Sequence, residues 1–137
     1  MNVKVFLDTN LWVYAYSTDP KGEMVRSLIA SRFRKIALST QVLGEFFTVL
    51  SRKLKRNRDE AAVAVRTLSD HFPVQPVSRA TVEQALDVCS RTGYSFWDSQ
   101  IIASAVECGC GILYSEDLQP GPVAGTRLRI INPLSPR

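Results

Sequence analysis

Asp8, Glu45, Asp98 and Asp117 are far apart in the chain, yet each falls where an apolar run ends or a helical pattern begins. In an α/β domain such positions meet at one edge of the sheet. Carboxylates gathered there repel one another unless a cation lies between them, and oxygen ligands suit a hard divalent ion such as Mg²⁺ or Mn²⁺. Each acid alone also has a local use. Asp8 suits a helix cap, Glu45 the first turn of a helix, Asp98 the last place of a Ser-x-x-Asp capping box, and Asp117 a turn. Glu45 argues against four separate local roles. It sits in the apolar run QVLGEFFTVL, with no lysine or arginine at helical spacing before Arg52. A buried carboxylate without a partner is costly. Asp98, between Trp97 and the apolar pair Ile101 and Ile102, raises the same question, and a shared cation answers both.

The elements that would carry these acids follow from the pattern. Val3–Leu7 reads as a strand covered on both faces, ended by the capping residues Asp8, Thr9 and Asn10, with a helix over Leu11–Tyr16. After the turn Asp19–Gly22, helical spacing predicts Glu23–Phe33 with Val25, Leu28 and Ile29 inward. A short strand Ile36–Leu38 leads through Ser39 and Thr40 into a helix Gln41–Leu54, with Val42, Phe46, Val49 and Leu50 inward. Asp59 opens a helix to His71, and Pro73 and Pro76 bracket an extended piece at Val74. Ser78 caps a helix carrying Val82, Ala85, Leu86 and Cys89, which Gly93 ends. Ser95 caps one that runs to Glu107. Ile112–Tyr114 and Leu128–Ile131 are the last strands, separated by the glycine- and proline-rich stretch 120–125. Strands alternating with helices predict an α/β domain with a mainly parallel sheet flanked by helices on both faces, and ligands in such folds bind beyond the carboxyl ends of the strands. Asp8 and the loop Ser115–Asp117 lie at such ends.

The 137 residues, 45% hydrophobic and 22% charged, fit a single domain over 1–137 with a loose tail from about 132. No apolar run reaches the ~20 residues that span a bilayer, and the N-terminus lacks a secretory pattern, so the expected location is cytoplasmic. The odd count of three cysteines excludes a closed disulfide framework, and Cys108-Gly-Cys110 is too short for common zinc spacing. These thiols read as reduced and part-buried. The net charge of +4 is uneven. Arg52, Lys53, Lys55, Arg56 and Arg58 crowd one stretch, and Arg32, Arg34 and Lys35 form a smaller group. Either is a solvated helix end or a footprint for phosphate backbone. His71, the only histidine, is far in sequence from every acid and reads as structural or exposed.

The segments LDTNLWVYAY, STQVLGEFFTVLSRKL and YSFWDSQIIASAVECGCGILYSEDLQPG, in that order, resemble the PIN-domain nucleases, and most of all the VapC-type toxin ribonucleases of toxin–antitoxin pairs. The likeness covers about the first nine-tenths of the chain. It implies a PIN-like fold, with metal-binding catalytic acids at Asp8, Glu45, Asp98 and Asp117. It matches Thr9, Asn10 and Ser115 to polar positions that orient those acids. Glu116, where many relatives carry Asn, is a candidate extra ligand. The implied activity is Mg²⁺- or Mn²⁺-dependent endoribonuclease chemistry with one or two ions, leaving 5′-phosphate and 3′-hydroxyl ends. The implied partners are RNA, an antitoxin segment against the N-terminal helices, where Trp12 and Tyr16 form a stripe, and a second copy of the chain. Two other readings stay open: a PIN nuclease for RNA processing without an antitoxin, and a PIN-like module that binds without cutting. A haloacid-dehalogenase-type phosphatase is excluded, because it needs a second Asp where this chain has Asn10.

Overall fold

The computed structural model describes residues 3–52 and 57–135. Its strands β1 (Val5–Leu7), β2 (Ile36–Ser39), β3 (Val74–Gln75), β4 (Ile112–Tyr114), β5 (Gly121–Pro122) and β6 (Arg129–Ile131) form one sheet in the order β3-β2-β1-β4-β6-β5. Every neighbouring pair is parallel except β5 with β6. Around the sheet lie α1 (Thr9–Ala15), α2 (Lys21–Arg32), α3 (Thr40–Arg52), α4 (Arg58–His71), α5 (Arg79–Thr92) and α6 (Phe96–Glu107), with a 3-10 turn at Phe33–Lys35.

β1 lies in the middle of the sheet. Val5, Phe6 and Leu7 are all fully buried although consecutive strand residues point to opposite faces, so both faces of the sheet are covered. The chain leaves β1 for β2 on one side and later returns to β4 on the other. This reversal of direction opens a crevice at the carboxyl end of β1. Leu7 pairs with Tyr114, and the Asp8 N–H donates to the Tyr114 carbonyl at 2.9 Å, so Asp8 emerges beside Ser115.

The caps follow the chemistry of the side chains. Ser39 Oγ accepts from the Val42 N–H at 3.3 Å at the start of α3. Ser78 forms a reciprocal capping box with Thr81, and Gly93 ends α5 in the left-handed region at φ 78°. Ser95 Oγ accepts from the Asp98 N–H at 3.1 Å. Only the backbone of Asp98 is used in this cap, which leaves its carboxylate for other work. In α3, Val42, Phe46 and Leu50 form a fully buried stripe. Each contributes about 1.5–3 kcal/mol of burial, and together they hold the helix that carries Glu45.

Several boundaries differ from the sequence reading. β1 begins at Val5, since Lys4 is exposed, and α2 starts at Lys21. α4 is capped by Asn57, whose Oδ1 accepts from the Glu60 N–H at 2.8 Å, so Asp59 lies inside the first turn instead of opening it. β5 arises within the glycine- and proline-rich stretch 120–125, to which the sequence pattern assigns no strand. Leu86 is 49% exposed, because the inner stripe of α5 runs through Thr81, Ala85 and Val88. The tail is not loose at its start: Leu134 packs against the core. Among the described residues no helix is long and apolar enough to cross a membrane.

Candidate active site

Asp8 follows β1, Glu45 sits on α3, Asp98 occupies the first turn of α6, and Asp117 lies in the loop after β4. All four line one open cleft of about 600 Å³, together with Thr9, Asn10, Gly44, Thr48 and Val49. Among the described residues, no lysine, arginine or histidine lines this cleft.

Neutral donors hold the acids. Asp8 Oδ1 accepts from the Thr9 N–H at 2.8 Å, and its Oδ2 accepts from the hydroxyl of the fully buried Ser115 at 2.9 Å. The Thr9 hydroxyl donates to Glu45 Oε1 at 2.6 Å, and Asn10 Nδ2 donates to Asp117 Oδ2 at 2.6 Å. Burial raises the Asp8 carboxyl to about 6. The Ser115 and Thr9 hydrogen bonds oppose that rise, and the charges of Asp98 and Glu45 add to it. Asp8 therefore lies within the fields of both Asp98 and Glu45.

Among the described residues, no three of the acids stand close enough together to grip one ion in this arrangement. The donor set itself fits a hard divalent cation, being oxygen only, rich in carboxylates and uncompensated by any cation along the cleft.

Thr9, Asn10 and Ser115 thus each donate to an acid. Glu116 does not line the cleft. Its Oε1 accepts from the Tyr14 hydroxyl at 2.6 Å, and its Oε2 pairs with Lys21 Nζ at 2.7 Å. The Lys21 ammonium, and then the Tyr14 hydroxyl, hold the Glu116 carboxyl below the usual carboxylate range. Of the basic run, Arg52 and Arg58 are exposed at the end of α3 and the start of α4, and neither lines the cleft. Lys53, Lys55 and Arg56 lie outside the described residues. Arg34 and Lys35 line a different hollow of about 230 Å³ with Lys4 and Cys108, at the amino ends of the strands. His71 is exposed, with its Nδ1 2.8 Å from the Thr67 carbonyl, and the cysteines are free.

Two residues of the site escaped the sequence reading. Gln41 Nε2 donates to Glu45 Oε2 at 3.3 Å and to the Trp97 carbonyl at 3.1 Å, while Gln41 Oε1 accepts from Gln100 Nε2 at 2.8 Å. This chain of amides ties the Glu45 helix to the Asp98 helix. The available signals were Gln41 four residues before Glu45, and Gln100 buried among Ile101, Ile102 and Ala103.

The model of the PIN domain matches residues 5–120. The chain belongs to the PIN-domain family. Within that family it is similar to VapC20 of Mycobacterium tuberculosis, described as a toxin that cleaves the sarcin–ricin loop. The two share 30% identity over 92% of this chain and 99% of that one, with a TM-score of 0.72. It also shares its fold with the chain from DNA-bound VapBC of Salmonella typhimurium, at 17% identity over 93% of this chain and 98% of that one, TM-score 0.70. A toxin–antitoxin complex of Klebsiella pneumoniae gives 15% identity over 95% and 98%, TM-score 0.70. No curated protein sequence matches the chain. The PIN fold explains why acids from four different elements share one cleft.

Proposed function

We propose that this PIN-domain chain is a Mg²⁺- or Mn²⁺-dependent endoribonuclease, the VapC-like toxin of a type II toxin–antitoxin pair. One observation carries the reading: four carboxylates from separate elements line one cleft, and neutral donors orient three of them, Asp8, Glu45 and Asp117. Asp8, Glu45, Asp98 and Asp117 would hold the cation. When bound, it supplies Lewis acidity towards the phosphodiester and makes water a nucleophile near neutral pH. The chain's own contribution is orientation. Ser115 and the Thr9 N–H fix Asp8, the Thr9 hydroxyl and Gln41 fix both oxygens of Glu45, and Asn10 fixes Asp117. None of these donors cancels a charge.

Arg52 and Arg58, with Lys53, Lys55 and Arg56 between them, are proposed to meet RNA phosphates. The proposed protein partners are an antitoxin, as in the solved toxin–antitoxin complexes the fold resembles, and a second copy of the chain. Stripped of metal, the purified protein should leave RNA intact, and it should cut on addition of Mg²⁺ or Mn²⁺. Cleavage that persists in EDTA, or a purified Asp98→Asn variant that cuts at the wild-type rate, would refute the mechanism. Growth arrest on expression, relieved by the product of a neighbouring reading frame, separates the toxin from an RNA-processing nuclease.

A further inference from the structure

Trp97 is the residue before Asp98, at the start of α6, and it is 62% exposed, whereas the other tryptophan of the chain, Trp12, is 1% exposed. An indole left in water beside a nuclease cleft needs a physical account, since an isolated exposed aromatic ring gives up the burial that favours folding. Its surroundings hold it in place. Phe96 meets it edge-to-face, with ring centroids 5.1 Å apart and planes at 81°. Its backbone carbonyl accepts from Gln41 Nε2 at 3.1 Å, and the same amide donates to Glu45. The backbone of Trp97 is therefore tied to the network that positions one of the acids, while its ring rests against Phe96.

Among the described residues, the lining of the cleft is carboxylates, Thr9, Asn10, Gly44, Thr48 and Val49, with no aromatic ring. Such a surface can engage phosphate through a cation but offers a nucleobase nothing to stack on. Outside that lining, one residue before Asp98, Trp97 presents a large, exposed π surface. Stacking on an indole requires a base that is not already stacked inside a duplex. Trp97 directly precedes Asp98 in α6, and its carbonyl shares the Gln41 amide with Glu45, so the residue that carries the indole is tied to two of the acids. A base on the indole would belong to a nucleotide adjoining the phosphate held at the acids.

We infer that Trp97 is the stacking platform for one unpaired base of the RNA, next to the scissile phosphate; the choice of ligand rests on the ribonuclease reading. The experiment is an intrinsic-fluorescence titration of the whole protein in EDTA with a short unstructured oligoribonucleotide, where binding is read without cleavage. Only two tryptophans are present and one is buried, so the exposed indole is expected to dominate the quenching.

With labelled RNA and anisotropy as readout, Trp97→Ala should weaken single-strand binding about fivefold to a hundredfold, the range for loss of one base–aromatic stack. Trp97→Phe should restore most of it, and duplex binding should be the same in all three proteins. The platform is overturned if Trp97→Ala binds the single strand like wild type, or loses single-strand and duplex affinity equally. It is also overturned if sedimentation shows that Trp97→Ala changes the oligomeric state while RNA affinity per protomer stays constant, because the indole then covers a second copy. The two proposals fail separately. Quenching without cleavage on Mg²⁺ or Mn²⁺ addition removes the nuclease and keeps the platform. Metal-dependent cleavage with an unchanged KM in Trp97→Ala removes the platform and keeps the nuclease.

Discussion

Asp117 and Glu116 are consecutive, yet they serve two different regions. Asp117 opens onto the cleft with the neutral amide of Asn10 as its partner, while Glu116 turns to Lys21 and the Tyr14 hydroxyl. The outer bridge links the loop after β4 to α1 and α2 with a carboxylate whose charge is matched within the protein. In the cleft, by contrast, Ser115, Thr9, Asn10 and Gln41 aim carboxylates without matching their charge. A hydroxyl or amide donor fixes orientation and leaves the negative field intact, whereas an ammonium donor fixes orientation and cancels it. The difference in donor type separates a site ready for a cation from a structural clasp.

The contrast is broken most directly by removing one acid from each region. Asp98→Asn should lower metal-dependent cleavage by more than about a hundredfold, beyond what loss of a ligand's supporting partner costs, while Glu116→Gln should stay near wild type. Equal losses in initial-rate assays would show that Glu116 belongs to the cleft. A smaller effect sharpens the role of the neutral donors. Thr9→Val keeps the shape but deletes the hydroxyl on Glu45 Oε1, and Mn²⁺ affinity by titration calorimetry should fall roughly 10–100-fold. Unchanged affinity would mean that Glu45 needs no orientation.

A third test uses Asp8 in the metal-free protein. Burial lifts its carboxyl from 3.8 to about 6, so the folded state binds that proton more tightly than the unfolded chain. The resulting stabilisation is complete below about pH 4 and is lost as the pH rises through 6, a difference of about 3 kcal/mol. Asp8→Asn should therefore be more stable than wild type by about 1–2 kcal/mol at pH 7.5 in EDTA, the weakened Ser115 hydrogen bond taking up the rest. The advantage should vanish near pH 4. Urea melts at both pH values check this, and an equal gain at both would trace it to something other than the charge. The smallest effect belongs to the outer clasp: Lys21 and Glu116 have side chains 46% and 23% exposed, and an exposed ion pair contributes little. Lys21→Met should barely move the thermal midpoint, and a large drop would show that the clasp holds the loop.

The parts of the fold that a single side chain dictates were legible in the sequence. Ser78, Gly93 and Ser95 mark helix ends because each satisfies a particular backbone group, and Val5–Leu7 reads as a central strand because all three residues are apolar. The four acids were legible as boundary residues, and their meeting at one cleft follows from parallel strands. What stayed hidden depends on pairing and on angle. Gly121 and Pro122 carry no alternating pattern, so β5 exists only through the partner Ile130 and Arg129 offer it. Leu86 is apolar but lies off the Thr81–Ala85–Val88 stripe, and only packing shows which face of α5 turns inward. Trp97 is flanked by Phe96 and followed by the apolar pair Ile101 and Ile102, and nothing in that pattern announces that it is left in solvent at the first turn of α6. Gln41 and Gln100 are 59 residues apart, and nothing local announces their hydrogen bond.

Asp8 meets Ser115 across 107 residues of sequence. In N-to-C synthesis the first acid is made 107 residues before the hydroxyl that steadies it, and Asp117 follows two places later. Until β4 docks beside β1, the blade has one edge and no anvil. A cut in the sequence before β4 would remove Ser115 and Asp117 together, and with them one supporting hydroxyl and one carboxylate of the cleft.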